Sequence, residues 1–283
     1  MAKILMLGTG NAGTYNLYNT CFIIQNNEGN FLVDTGGSNE IIRRIDYFNI
    51  DYNSLNNIFI SHSHTDHIFG LFWLLRKMAG LYKRGKITKK LNIYCNDFVY
   101  EAIKQILNHV LSKGLLDIIN DLVNYNVVKN GDKHIINGIE YTFFDILAKG
   151  IKQYGFKTII NNKKIAFLGD EPLNESLYDN FINYDYLFHE VFCLESEENI
   201  YHPFELFHSS TKSLANMLNK LRIKNVIIYH TEEKHGEKRK ELYIKETKKY
   251  YSGNIYVPND LEIIDIWWEE LKWQMHVDYR LIN

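Results

Sequence analysis

The sequence predicts an α/β protein, a four-layer sandwich in one domain over residues 1–283. Three observations lead there. Short apolar runs read as strands in the first half of the chain with helical patterns between them, and the same order returns in the second half. The composition, 46% apolar with 14% aromatic, suffices for a sizeable core, and 23% charged residues is ordinary for a soluble protein. Third, Ser61-His62-Ser63-His64-Thr65-Asp66-His67 falls between a strand-like run, Ile58-Phe59-Ile60, and a helical stripe of Ile68, Leu71, Phe72 and Leu75. On such a strand-to-helix loop, side chains can converge instead of projecting to opposite faces.

Taken in order, Lys3 to Leu7 is a first strand, followed by the glycine-rich turn Gly8-Thr9-Gly10-Asn11-Ala12-Gly13. No helical pattern follows it, so it reads as a loop whose backbone approaches something closely, not as a dinucleotide fingerprint. Thr20 to Gln25 and Asn30 to Asp34 pair through a turn at Asn26-Asn27-Glu28-Gly29. Asp34 then ends a strand on glycine-flanked backbone, either bonding its own turn or orienting a metal-binding imidazole.

Asn39 to Phe48 is helical, and a second helix runs from Asp66 to about Tyr82. The basic run of Lys83, Arg84, Lys86, Lys89 and Lys90 reads as a solvated loop. Leu91 to Cys95 is a strand. Asp97 to Lys113 is a helix capped by Asp97, with Val99, Ile103, Ile106, Leu107, Val110 and Leu111 as its buried stripe and His109 beside it.

Strands follow at Tyr125 to Lys129, His134 to Ile136 and Ile139 to Asp145. Gly155 to Ile160 and Lys164 to Leu168 form a hairpin about Asn161-Asn162 that ends in Gly169-Asp170. Tyr184 to Val191 is a strand, Ser209 to Leu221 a helix, and Asn225 to His230 a strand with histidine at its end. Glu237 to Tyr250 is a helix of mixed charge, read as mostly solvated, and Asn254 to Val257 and Glu262 to Ile264 are short strands. The tail, residues 266–283, carries Trp267, Trp268 and Trp273 for burial against the body or a second subunit.

A net charge of −2 provides no global field toward nucleic acid or an anionic membrane. No apolar run reaches the roughly 18 residues that span a bilayer. The three cysteines, Cys21, Cys95 and Cys193, are far apart and sit in apolar surroundings, as in a reducing compartment. A cytoplasmic enzyme is the expectation.

Neutral imidazoles and a carboxylate are the donors that zinc prefers. Four of them in one tight loop, His62, His64, Asp66 and His67, exceed what one tetrahedral ion uses comfortably, which points to two ions. With Gly169-Asp170, His189-Glu190, His208-Ser209 and the strand-end His230, the chain resembles the metallo-β-lactamase superfamily, and within it ribonuclease Z and its phosphodiesterase relatives. The matching pieces run from Leu7-Gly8-Thr9-Gly10 to Tyr229-His230-Thr231.

The resemblance implies an αββα sandwich with two divalent ions at one edge, zinc before manganese or iron. It implies a first ion on His62 and His64, a second on Asp66, His67 and His230, and Asp170 bridging. Asp66 would orient or deprotonate the attacking water, and Glu190 with His208 would protonate the leaving alkoxide.

Two departures stand out. Lys149 occupies the slot where such relatives keep a further histidine; Asp145 is expected to supply that donor, and without it the first site is weak. The stretch Lys157 to Leu168 is too short for the arm with which long-armed ribonuclease Z grasps tRNA. A small phosphodiester or nucleotide-like substrate is therefore favoured over tRNA, for which Lys83 to Lys90 is the basic candidate. Other esters on the same metals and a metal-binding sensor without turnover remain alternatives. Glutamate would be expected at His64 in a diiron relative. A homodimer follows from analogy alone.

Overall fold

The computed structural model describes residues 2–266; the tryptophans of the tail lie outside them. Two seven-stranded mixed sheets face each other. In the first, β1 (Lys3–Gly8), β2 (Cys21–Asn26) and β3 (Gly29–Val33) are antiparallel, and β4 (Asn57–Ile60), β5 (Leu91–Cys95) and β6 (Val123–Val127) continue parallel to β3. The second repeats that plan. Here β7 (Lys133–Ile136), β8 (Ile139–Asp145), β9 (Tyr154–Ile160) and β10 (Lys163–Phe167) are antiparallel, then β11 (Tyr186–Glu190), β12 (Asn225–Tyr229) and β13 (Asn254–Tyr256) are parallel. A last strand, β14 (Ile263–Asp265), closes the first sheet against β1.

Period-two alternation divides each strand between two layers. In β2, Cys21 and Ile23 point to the helices outside, whereas Phe22 and Ile24 point to the opposite sheet. The layer between the sheets is aromatic: Phe22 stacks on Phe188 at 5.1 Å, Phe31 meets Tyr141 edge-on at 4.8 Å, and Phe59 lies 5.0 Å from Phe143. These rings clamp the sheets together and so fix the separation of the loops at their edge.

Outside the first sheet pack α1 (Glu40–Tyr47), α2 (Thr65–Lys83), α3 (Asp97–Val110) and α4 (Lys113–Leu122). Outside the second lie the short α5 (Glu198–Tyr201), with α6 (Thr211–Leu221) and α7 (Arg239–Thr247) over its core. The sandwich expected from the strand pattern is thus present, with three corrections in detail. The cap of α3 is Asn96, whose side chain accepts the Val99 N–H, and α3 ends at Val110, which is 60% exposed. Unforeseen, α4 follows at once. The mixed-charge helix also buries charge: Arg239 donates to Thr231, Pro258 and Asn259, and Glu246 accepts from Thr211 and the Glu195 backbone.

Among the described residues no helix is long and apolar enough to cross a membrane, and all three cysteines are buried and free. The basic run follows α2, whose 19 residues put it about 28 Å from that helix's N-terminus.

The parallel strands of both sheets bring their carboxyl ends to one edge, where crossovers leave a crevice for ligands. There α2 is pinned to the loop after β3: Thr35 donates both its backbone N–H and its hydroxyl to the His67 carbonyl, and the Gly70 N–H reaches the Gly36 carbonyl. Only glycine permits this approach, since a Cβ at residue 70 would sit 2.0 Å from the Thr35 carbonyl oxygen. Gly70→Ala should therefore destabilise the fold by about 1–3 kcal/mol through overpacking, measured by urea unfolding; an unchanged midpoint would contradict this account of the contact.

Candidate metal centre

The site grows from a buried carboxylate at the end of β3. Asp34 is held at φ +54°, a left-handed conformation that turns the chain out of the sheet. Its Oδ1 accepts the Ser61 backbone N–H at 2.8 Å and its Oδ2 accepts the Ser61 hydroxyl at 2.7 Å. The same Oδ2 lies 2.8 Å from His67 Nδ1. An ionised carboxylate only accepts, so Nδ1 of His67 carries the hydrogen and Nε2 keeps its lone pair for the crevice.

The relay continues through Ser61. Its hydroxyl hydrogen goes to Asp34, so its oxygen can only accept from His62 Nδ1, at 2.9 Å. His62 is thereby fixed in the same tautomer, with Nε2 free. Asp34 thus orients both rings, one directly and one through a hydroxyl, as the outer partners of metal-binding histidines do.

From the other sheet comes Asp170, after β10. Gly169 precedes it at φ +74°, and the Asp170 N–H donates to the buried Gln153 side chain. Asp170 Oδ2 stands 3.2 Å from His62 Nε2, 3.4 Å from His67 Nε2, 3.6 Å from His230 Nε2 and 3.8 Å from His64 Nδ1. Asp66 Oδ2 is 3.4 Å from His67 Nε2 and 3.3 Å from His230 Nε2. Two groups with ligand spacing result, Asp66, His67, Asp170 and His230 in one and His62, His64 and Asp170 in the other.

The donor set fits a pair of cations. His62 Nε2, His67 Nε2 and Asp170 Oδ1 are buried without a hydrogen-bond partner, a costly condition that a metal would relieve. Burial lowers the pKa of His62 and so favours its neutral, ligating form. Burial would raise Asp170, but the imidazoles of His62, His64 and His67 hold its carboxyl well below the usual range. At His67 burial again opposes charge, yet the Asp66 and Asp34 carboxylates reverse the balance. The crevice favours positive charge at its centre.

A second constellation adjoins the first. Glu190, at the end of β11, accepts the Ser209 N–H at 2.6 Å and lies 3.6 Å from His208 Nδ1. That Nδ1 donates to the Asp170 carbonyl at 2.8 Å, and the ring stacks on Phe192 at 5.0 Å. Glu190, His208 and His230 come within ligand distance of one another. His189 turns away, its Nδ1 on the Glu190 carbonyl at 2.5 Å.

Of the residues expected from the sequence, His62, His64, Asp66, His67, Asp170, Glu190, His208 and His230 therefore meet at one edge. Asp145 does not. It ends β8, half-exposed, with its Oδ1 accepting the Leu147 N–H at 2.8 Å, and it belongs to none of these groups. The expectation that it replaces the absent histidine finds no support in this geometry, since one of its oxygens is spent on its own turn and it lies outside both groups. Sequence reasoning also missed Ser61 and Gln153. Ser61 directly precedes the histidine it orients, but its role depends on an aspartate 27 positions earlier. The glycine-rich loop approaches the chain itself: Asn11 donates to the Thr231 carbonyl and Thr231 to the Thr9 carbonyl, which steadies His230.

Known proteins share this fold. The structure of the metallo-β-lactamase fold protein YhfI from Bacillus subtilis superposes with a TM-score of 0.75 at 16% identity, over 93% of this chain and 98% of that one. Human tRNase Z, short form, gives 0.69 at 17% identity over 93% and 99%. A ribonuclease Z from Bacillus cereus is 27% identical over 257 residues, 74% of this chain and 80% of its own. One from Phocaeicola vulgatus is 21% identical over 92% and 96%. Fold and relatives make this a metal-dependent hydrolase of the metallo-β-lactamase superfamily, in its ribonuclease Z-like and phosphodiesterase branch. Residues 2–251 match a narrower family model, and the chain belongs to that family, the anti-Pycsar protein Apyc1 family.

Two variants test the ligand geometry. Asp34→Ala should weaken zinc binding roughly 10- to 100-fold by freeing two imidazoles to rotate, whereas Asp145→Ala should hold as much zinc as the native chain by elemental analysis. Zinc lost from the second and kept by the first would reverse the assignment.

Proposed function

We propose that the protein is a phosphodiesterase that hydrolyses a small, nucleotide-like phosphodiester with two divalent ions, zinc in the first instance. The observation that carries this reading is Asp170 Oδ2, shared between two donor groups within 3.8 Å of four imidazole nitrogens. His62, His64 and Asp170 would hold one ion; Asp66, His67, His230 and Asp170 the other. Bound there, the ions would supply Lewis acidity and a deprotonated water for in-line displacement at phosphorus.

The chain's own residues do the rest. Asp66, at the N-terminus of α2, accepts a hydrogen bond from the attacking water and aims it. The positive end of that 19-residue helix favours the phosphate's charge. His208 spends Nδ1 on the Asp170 carbonyl, which leaves Nε2 to give a proton to the departing oxygen. Burial works against a charged His208, but the Glu190 and Asp170 carboxylates outweigh it and push its pKa up to about 9. The acid form is therefore present at neutral pH and disappears as pH rises through about 9.

A second reading, ribonuclease Z-type cleavage of precursor tRNA, is supported by the relatives of that name. Against it stands the hairpin of β9 and β10, which spends only Asn161-Asn162 on its turn where a tRNA-grasping arm would sit.

The zinc-loaded protein should hydrolyse bis(p-nitrophenyl) phosphate and leave precursor tRNA intact; the opposite pattern would establish the second reading. His208→Ala should cut turnover of an unactivated dinucleotide roughly 100- to 10,000-fold. In the native enzyme that turnover should fall on the alkaline side with an inflection near pH 9, and Glu190→Gln should move the inflection to lower pH. A profile insensitive to both variants would remove His208 from the mechanism.

A further inference from the structure

The two donor groups share Asp170 unequally. Asp66, His67 and His230 complete one of them, whereas only His62 and His64 complete the other. The smaller group therefore depends more on where the Asp170 carboxylate points. Its closest approach is that of Asp170 Oδ2 to His62 Nε2, at 3.2 Å. The two residues come from opposite sheets, so that distance is set by whatever braces one loop against the other.

Gln153 is that brace. It is fully buried and directly precedes β9. On one side the next residue, Tyr154, donates its N–H to the Ser61 carbonyl at 3.0 Å, and Ser61 adjoins His62. On the other side Gln153 Oε1 accepts the Asp170 N–H at 3.1 Å. A Cβ at Gly169 would lie only 2.7 Å from that oxygen, so glycine is what admits the amide. Gln153 Nε2 donates to Glu171 Oε1 at 3.3 Å. Glu171 in turn accepts the backbone N–H groups of Lys149 and Gly150, at 2.7 and 3.1 Å. Both ends of the one amide are thus engaged, which fixes its orientation. The rest of the segment is held as firmly. Tyr229 donates its hydroxyl to the Gly169 carbonyl, and His208 Nδ1 donates to the Asp170 carbonyl at 2.8 Å. With its backbone gripped from both faces, Asp170 keeps one polar atom without a partner, the buried Oδ1.

We propose that Gln153 and Glu171 are positioning residues for the ion on His62 and His64: they set the Asp170 carboxylate against His62 and so decide whether that ion is held. The inference rests on the two-ion part of the proposed function. It adds that the loop at 149–153, which places no ligand in either group among the described residues, controls one of them through Asp170. The other ion keeps Asp66, His67 and His230, and so tolerates a displaced Asp170 better.

The test is calorimetric titration of the metal-free full chain with zinc, with elemental analysis after dialysis. The native chain should bind two ions. Gln153→Met, close in shape but without the amide, should weaken one of them roughly 10- to 100-fold, as loss of an outer partner does. The other should stay near native, so that one zinc per chain survives dialysis. Adding His64→Ala to Gln153→Met should remove no further zinc, because both act on the same ion. Glu171→Gln should weaken that ion too, which keeps the test decisive if Gln153→Met does not fold. Gln153→Glu combined with Glu171→Gln again sets an acceptor for the Asp170 N–H against an amide donor and should recover it. Two ions held as tightly by both single variants overturn the assignment. So does equal weakening of both ions, the mark of a merely structural contact. A native chain that binds fewer than two ions overturns the two-ion reading itself. Two ions with bis(p-nitrophenyl) phosphate left intact overturn the phosphodiesterase reading and leave the positioning role standing.

Discussion

The structure turns on a carboxylate that no single strand could shelter. Asp170 arrives from one sheet, and three of the four imidazoles nearest its Oδ2, those of His62, His64 and His67, arrive from the other. Burying a carboxylate without compensation costs several kcal/mol, and polarised but unpaired nitrogens around it add to that cost. Asp34 and Asp66 bring two more negative charges into the same space. Such a cluster is suited to cations, and the aromatic layer between the sheets holds its two halves at a fixed separation. Packing far from the crevice thus sets the distances at which its donors meet.

The sequence made the first half of this legible and left the second half partly hidden. His62, His64, Asp66 and His67 fall within six residues, from the loop after β4 into the first turn of α2, so spacing alone reveals them as donors. Asp34 could be read as an orienting acceptor because a carboxylate at a glycine-flanked strand end has few other uses. Asp170, Glu190, His208 and His230 became visible only through resemblance, since their convergence depends on strand order across a whole sheet. Asp145 shows the limit of the method. Position at a strand end is right for a ligand, but a turn two residues later takes its oxygen. Proximity along the chain identifies candidates, and local hydrogen-bond competition decides among them.

Elsewhere the misreadings share one cause. Val110 fits the helical period but falls at a helix end where α4 begins, so its face has nothing to pack against. Arg239 and Glu246 look like members of a solvated charge run, yet the same helix carries Tyr243 into the core and takes them along, each with hydrogen-bond partners. Periodicity reports which residues share a face; it does not report what covers that face.

The small substrate proposed above accords with the distribution of positive charge. Nucleic-acid affinity comes largely from many phosphate contacts, and here the net charge is −2 and the basic run lies a helix length from the crevice. Affinity must then come from the crevice itself and the loops at its rim. Those loops carry Lys149 on one side and Phe204 and Phe207 on the other, around a cavity that admits one small group. On the proposed reading, one phosphate held between the candidate metal ligands has little need of a long basic surface. On that reading selectivity falls instead to the few side chains around His208, which bind without adding to the charge already stored around Asp170.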